Sequence, residues 1–377
     1  MIVLDACGVG ALPDAGAYGD QDTNTLGHLA TEVGGLGLPA LARLGLGSIL
    51  PLEGVPRAVH PGLHGRLRPL GPGKDSTAGH WELMGVVTPR ELPVYPEGFP
   101  PEVISLVSAA SGRRVICNRP YNGVEAIEDF GSQHLATGAL IVYTSQDSVL
   151  QLAAHVEAVR PEELYRICET VRNSLGAEHA VGRVIARPFA GTTGNFSRTD
   201  GRRDFSIPPP GPSYLEALSS RGVDVHTVGK TGQLFRGIGI DVQHPGPTNR
   251  EALSRTGALI DSLHSGLVFT NLIETDQMYG HRHDAAGFHD ALKEIDATLA
   301  EWLPLLGAED LLVLTADHGC DVTAPHTNHT REYAPLLASF EGHASRRHDG
   351  QLADVGASVF RWLTSSEPPQ LPGEAFL

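Results

Sequence analysis

Cysteine is scarce in this 377-residue chain, and the four that occur follow no pattern. Cys7, Cys117, Cys168 and Cys320 include no C-x-x-C pair, which excludes a disulfide frame or a thiolate zinc site as the organising device. They read as free thiols in a reducing compartment. Long apolar runs are lacking too: no stretch approaches the roughly 20 residues that a membrane-crossing helix needs. The opening "MIVLDACGVG" has neither the basic start nor the cleavage pattern of a secretory leader. The expectation is a cytoplasmic protein with no membrane partner. Positive charge is in deficit, with 28 Lys and Arg against 44 Asp and Glu and a formal net charge of −16. A nucleic acid backbone requires a basic face and is excluded as a main partner, whereas a small phosphorylated ligand needs only a local basic pocket.

What the chain does have is a set of short apolar runs that each end in an acid. "MIVLD", "GLVFTNLIETD" (266–276) and "DLLVLTADHG" (310–319) read as buried strands of an α/β sheet. "LPALARLGLG" (38–47) and "GFHDALKEIDATLAEWLPLL" (287–306) read as helices packed on it. The middle of the chain is bordered by two Pro-rich stretches, "TPRELPVYPEGFPPE" and "DFSIPPPGPSYLE", as linkers often are. The expected organisation is an α/β core with a mainly parallel central sheet between helices, formed by 1–88 and 213–377. A smaller α/β cap, 89–212, is inserted in it. The cap is expected to hold a helix at 100–111, strands at 139–145 and in "RVIARPF", and a helix in "PEELYRICETV". The tail after about 364 is expected to be loose.

Ligands of open α/β sheets bind at the C-terminal ends of the strands. There the chain delivers Asp5, Asp276 with His281, Asp317 with His318, and then His329. Taken singly, each has a bland reading as a cap, turn or solvated loop. Jointly, three carboxylates and three imidazoles at one sheet edge suit Mn²⁺, Zn²⁺ or a similar ion, the oxygen share favouring Mn²⁺. Six donors are too many for one catalytic ion with open positions and fit a pair that clamps a phosphoryl transfer. "GKDSTAGHWE" (73–82) supplies two candidate nucleophiles for such a pair, Ser76 and Thr77, flanked by Lys74, His80 and Trp81. Arginines gather at 183, 187, 198, 202 and 203, and Lys230 follows in "TVGKTG". Arginine suits bidentate phosphate contacts, although Arg202 and Arg203 read better as surface charges paired to acids.

Several of these stretches are long and specific. "VLDACGVGALPDAGAYGDQDTNTLGHLA", "GKDSTAGHWELMG", "IVYTSQDSVLQLAAH", "DQMYGHRHD" and "TADHGCD" resemble the phosphopentomutase family, of the alkaline phosphatase superfamily of metalloenzymes, and the likeness runs over nearly the whole chain. The resemblance implies an isomerase that interconverts ribose (or 2-deoxyribose) 1-phosphate and 5-phosphate through a phosphoenzyme and a bisphosphate. It implies that Asp276, His281 and His329 hold one Mn²⁺ and that Asp5, Asp317 and His318 hold the other. It puts the phosphorylated residue at Ser76, where the family usually has threonine. It gives Arg183, Arg187, Arg198 and Lys230 to the distal phosphate, and Ser145 and Asp147 to the sugar. It further implies priming by a sugar bisphosphate such as glucose 1,6-bisphosphate. Other enzymes of the same metal core, a phosphoglycerate mutase or a phosphatase, are the nearest alternative. A sugar-phosphate-binding protein without chemistry is the next.

Overall fold

The computed structural model describes residues 1–145, 147–342 and 345–377. The chain divides into two compact units, Met1–Glu91 with Pro209–Leu377, and Leu92–Pro208. Both changeovers fall within the two Pro-rich stretches. Among the described residues no helix is long and apolar enough to cross a membrane.

Among the described residues of the first unit, nine strands form one sheet. Its order is Val242–His244, Val225–Val228, Leu267–Leu272, Ile2–Leu4, Leu312–Thr315, Ala334–Ser339 and Leu63–Arg68, with the short Arg346–Arg347 and Gly350–Gln351 on the last. The first five pair in parallel, and Ala334–Ser339 runs antiparallel to both its neighbours. The central strands are covered on both faces, so their sequences are near-continuous apolar runs without alternation. Two expectations are corrected here. The run 38–47 is not one helix but two, Pro39–Leu44 and Leu46–Ile49, because Gly45 takes φ +119° between them. The tail is not loose. Phe376 is buried, its N–H donates to Ser358 Oγ at 2.9 Å, and the Glu374 N–H donates to Asp354 Oδ1 at 2.8 Å. One aromatic near the chain end anchors a Pro- and Ser-rich segment whose composition alone reads as disorder.

The second unit is a six-stranded sheet in the order Val115–Pro120, Leu140–Thr144, Val149–His155, Arg183–Thr192 and Asn195–Arg198, with Arg203–Ser206 also on Arg183–Thr192. Strand alternation gives it two unlike faces. Leu140, Val142, Leu152 and Val184 pack under the helices Pro101–Ser111 and Pro161–Ser174. Ile141, Tyr143, Ala153 and Phe189 point the other way, against Ala126 and Ile127 of the helix Gly123–Thr137. The register Tyr143↔Gln151↔Ile185 and Ala153↔Arg187 continues that second face into a polar region. There Asp204 takes Arg202 at 2.7 and 2.8 Å and lies 3.6 Å from Arg183. Arg202 thus follows its bland reading. Arg203 lies instead over the Tyr165 and Phe205 rings, where the bland reading expected an acid. Burial works against the Asp204 charge, but Arg202, Arg183 and Arg187 hold the carboxyl below its usual range. Asp204→Asn leaves these cations without their shared counter-charge and is expected to destabilise this unit by about 2–3 kcal/mol. Urea denaturation followed on both units checks it; an unchanged midpoint would show that solvent already screens the pair.

Candidate active site

Three adjacent parallel strands bring the acids together. Leu4 pairs with Leu272, and Val3 with Thr315, so Asp5 and Asp317 leave the sheet side by side. The Ala6 N–H donates to Asp317 Oδ1 at 3.2 Å, and Ala6 takes the left-handed φ of +64° to do so. After Leu267–Leu272 the chain turns into a single π-helical turn, Thr275–Tyr279, that carries Asp276. Thr275 Oγ1 donates to the Asp5 carbonyl at 2.7 Å and ties that turn to the first strand. A bridge between Gly319 and Thr330 sets His329 beside His318, with ring centroids 3.8 Å apart.

The six expected donors converge into two overlapping groups. His329 Nε2 lies 3.2 Å and His281 Nε2 3.4 Å from Asp276 Oδ1, and the two nitrogens are 3.1 Å apart. His318 Nε2 lies 3.3 Å from Asp317 Oδ2 and 3.5 Å from Asp5 Oδ1. His281 Nδ1 sits 2.7 Å from the Thr327 carbonyl and His318 Nδ1 3.1 Å from that of Gly319. Each can therefore donate through Nδ1 and keep an Nε2 lone pair facing the acids. Asp5 Oδ1 is buried and accepts no hydrogen bond among the described residues. Burial and the charge of Asp317 push Asp5 up to about 7, against the pull of Lys230. Burial would raise Asp276 and Asp317 as well. It is outweighed by His281 and His329 at the one, and by His318 and His80 at the other, so both lie below the usual range. A buried set of acid oxygens and imidazole nitrogens with an unsatisfied oxygen is the donor chemistry that divalent cations take. The residues fit a metal pair.

The hydroxyl stands at the edge of this cluster. Asp75 caps the helix Ser76–Leu83, its Oδ1 accepting from the Thr77 and Ala78 N–H groups at 2.9 and 3.1 Å. That fixes Ser76 at the first helical position, with Oγ 3.1 Å from His318 Nε2 and accepting from Lys230 Nζ at 2.8 Å. Ser76 Oγ thus meets the donor cluster, and Thr77 contributes its backbone N–H to the cap. The glycine of the motif is a close approach: a Cβ on Gly79 would lie 2.4 Å from the Asp317 carbonyl oxygen. His80 Nδ1 sits 2.8 Å from the Ser76 carbonyl and 3.1 Å from Asp317 Oδ2. Trp81 is fully buried with Nε1 donating to the Leu234 carbonyl, a packing residue as expected. Behind the loop, Asp20 holds Lys74 Nζ at 2.7 Å, and Arg331 Nη1 donates to the Gly73 carbonyl at 2.9 Å.

Lys230 belongs to the first unit, where it meets Ser76 and Asp5, while the arginines with which its sequence reading grouped it belong to the second. In the second unit Arg183 pairs with Asp147 at 3.1 Å, and Arg187 Nε donates to Gln151 Oε1 at 3.2 Å. The Asp147 N–H donates to Ser145 Oγ at 3.4 Å. The sequence reading passes over Asn271, whose Nδ2 donates to Asp5 Oδ2 at 2.9 Å and lies 3.1 Å from His80 Nε2. It also passes over Glu332, buried and accepting from Gly10, Thr25 and Thr330. An amide inside the apolar run "LVFTNLI" is the signal that points to Asn271. Cys320 Sγ lies in one cluster with Asp276 and His281, its thiol pushed by burial up to about 11.

The chain is similar to several known proteins. Residues 234–366 match the model of the Metalloenzyme superfamily. A phosphopentomutase of Caldanaerobacter subterraneus subsp. tengcongensis is 48% identical over 95% of this chain and 92% of its own. One of Dictyoglomus turgidum is 45% identical over 100% of this chain and 96% of its own. A solved alkaline phosphatase from the Antarctic bacterium TAB5 is 11% identical at a TM-score of 0.36, covering 97% of each chain.

Proposed function

Since the chain belongs to the phosphopentomutase family of metal-dependent isomerases, we propose that it interconverts ribose 1-phosphate and ribose 5-phosphate, and the 2-deoxyribose pair, through a phosphorylated Ser76. The observation that carries this reading is the placement of Ser76 Oγ, between His318 Nε2 and Lys230 Nζ at the edge of six converging metal-type donors. Asp276, His281 and His329 would hold one divalent cation and Asp5, Asp317 and His318 the other, Mn²⁺ suiting the oxygen share. Bound there, such ions neutralise phosphoryl oxygens and lower the pKa of an alcohol.

The chain's own groups do the rest. Asp75 and the first turn of its helix fix the serine rotamer field, and Lys230 brings a cation to the transferred group. Phosphoryl passes from Ser76 Oγ to the free hydroxyl of the sugar phosphate: the serine O–P bond breaks, a sugar O–P bond forms, and the hydroxyl proton leaves. The resulting bisphosphate returns its other phosphoryl to Ser76 and regains a proton, so that the net change is isomerisation. A trace of glucose 1,6-bisphosphate would restore phosphoserine lost to water. Arg183, Arg187 and Arg198 are the proposed contacts of a substrate phosphate, with Ser145 and Asp147 toward the sugar. A cytoplasmic site of action accords with four free thiols. The test is a coupled assay from ribose 1-phosphate to ribose 5-phosphate with Mn²⁺ and glucose 1,6-bisphosphate. Isomerisation is the expected result, and release of free phosphate in its place would make the protein a phosphatase.

A further inference from the structure

We propose that the Tyr143 hydroxyl and the Gly123 N–H, at the start of the helix Gly123–Thr137, complete a phosphate receptor with Arg198 and Arg187 in the second unit. The proposal rests on the reading that the substrate is a sugar phosphate, and it names further groups that recognise it.

Tyr143 has 1% of its surface exposed, and its ring is packed among Ile141, Ala153, Phe189 and Ile127. Its Oη is buried and finds no hydrogen-bond partner among the described residues. A buried phenol ordinarily finds an acceptor, and a fixed ring whose hydroxyl lacks one points to a ligand. Gly123 shows where that ligand sits. A Cβ on Gly123 would fall 2.1 Å from Arg198 Nη2 and 2.4 Å from Tyr143 Oη. Guanidinium and hydroxyl thus close on one α-carbon, and any side chain there would displace one or both of them. Gly123 does not stand among the residues of positive φ, so its backbone does not demand glycine; the close approach of Arg198 and Tyr143 does.

The helix contributes a donor at the same point. Val124 and Glu125 give their N–H groups to Asn122 Oδ1, and Ala126 gives its own to the Asn122 carbonyl. The Gly123 N–H is left as the first-turn donor for a ligand, at the positive end of a 15-residue helix. Charge agrees. Asp204 is engaged by Arg202 and Arg183, whereas Arg187 and Arg198 form no ion pair among the described residues. Burial and the nearby Arg202 and Arg198 pull Arg187 down to about 10, a crowding of cations that a bound anion relieves. Hydroxyl, amide and guanidinium donors converging on one point match the oxygens of a phosphate and not a sugar hydroxyl, which would offer one acceptor.

The experiment is a calorimetric titration of the full chain with inorganic phosphate, in excess chelator so that bound cations take no part. Wild type, Tyr143→Phe and Gly123→Ala are compared. Wild type is expected to bind phosphate, and Tyr143→Phe to bind it about tenfold more weakly through loss of one hydrogen bond to a charged group. Gly123→Ala places a methyl in the receptor and a better helix former in the first turn. It is expected to weaken phosphate at least as much and, because the methyl pushes against Arg198 and the buried Tyr143, to lower the melting temperature by a few degrees, whereas Tyr143→Phe, which adds no atom, should keep the wild-type melting temperature and so separates lost binding from lost fold. Absence of phosphate binding by wild type overturns the receptor, and so do two variants that bind as wild type does. If phosphate binding depends on Tyr143 but the coupled assay shows no isomerisation, the receptor stands and the mutase reading falls.

Discussion

Ser76→Ala is expected to lower pentose phosphate interconversion by about 10⁴-fold or more, the scale seen when a covalent nucleophile is removed, and Thr77→Ala to leave it within a few-fold. The two hydroxyls are neighbours in sequence and equally buried, each 3% exposed, so burial does not distinguish them. Position on the helix does. Ser76 Oγ meets His318 Nε2 and Lys230 Nζ, while the role of Thr77 at the cap lies in its backbone N–H to Asp75, which alanine retains. Rates in the coupled assay give the first comparison. Intact-mass analysis after incubation with glucose 1,6-bisphosphate gives the second: wild type and Thr77→Ala should gain one phosphoryl group and Ser76→Ala none. A Ser76→Ala protein that still takes up label would move the nucleophile elsewhere and leave the donor cluster without its substrate oxygen. Serine has no branching methyl to restrict its rotamer, and here the Asp75 cap, His318 Nε2 and Lys230 Nζ are the groups around it that can orient its hydroxyl.

The donor set was legible because the fold itself writes it. A parallel strand buried on both faces must be apolar throughout, so an acid closing such a run marks the sheet's C-terminal edge, and Asp5, Asp276 and Asp317 were found that way. Lys230 was harder. It follows Val225–Val228, a four-residue strand containing a histidine, too short and too polar to announce itself, and only its parallel pairing with Leu267–Leu272 brings the loop to the same edge. Charge sorting and the family resemblance both group it with the arginines. Asn271 and Glu332 escaped for another reason. Each acts through partners far along the chain, Asp5 and Gly10, and no local periodicity reports a contact of that kind. The loose reading of the tail failed in the same manner, since composition carries no record of the pocket that receives Phe376. Arg202 goes the other way: its pairing with Asp204, two residues on, is local enough to be read directly, whereas the aromatic rings under Arg203 are not what acid pairing predicts.

Asp5→Asn should be at least as stable as wild type without divalent ions and less stable than wild type with them. Asp5 is fully buried; Oδ2 meets Lys230 and accepts from Asn271 Nδ2, while Oδ1 lacks a donor. Without divalent ions its charge is unwelcome. Burial comes first and repulsion from Asp317 second in pushing it from 3.8 up to about 7. A carboxyl raised in this way contributes most below its unfolded value and loses that contribution as pH rises through its folded value. In chelator the wild type should therefore weaken relative to Asp5→Asn as pH climbs from 3.8 to about 7, and the variant should melt at or above it at neutral pH. Mn²⁺ reverses this. A ligand that binds only the folded state at about a thousand times its Kd adds roughly 4 kcal/mol, and the amide forfeits that gain at the Asp5–Asp317–His318 group. Metal content should fall from about two ions per chain to one, and isomerisation by about 10³-fold, as when a group stabilising transferred charge is lost. Melting curves in chelator and in Mn²⁺, with metal analysis of the dialysed proteins, decide it. A variant that is less stable than wild type in chelator, yet gains as much from Mn²⁺, would show that Asp5 is a structural acid neutralised by Lys230 and that the second cation is held by other groups.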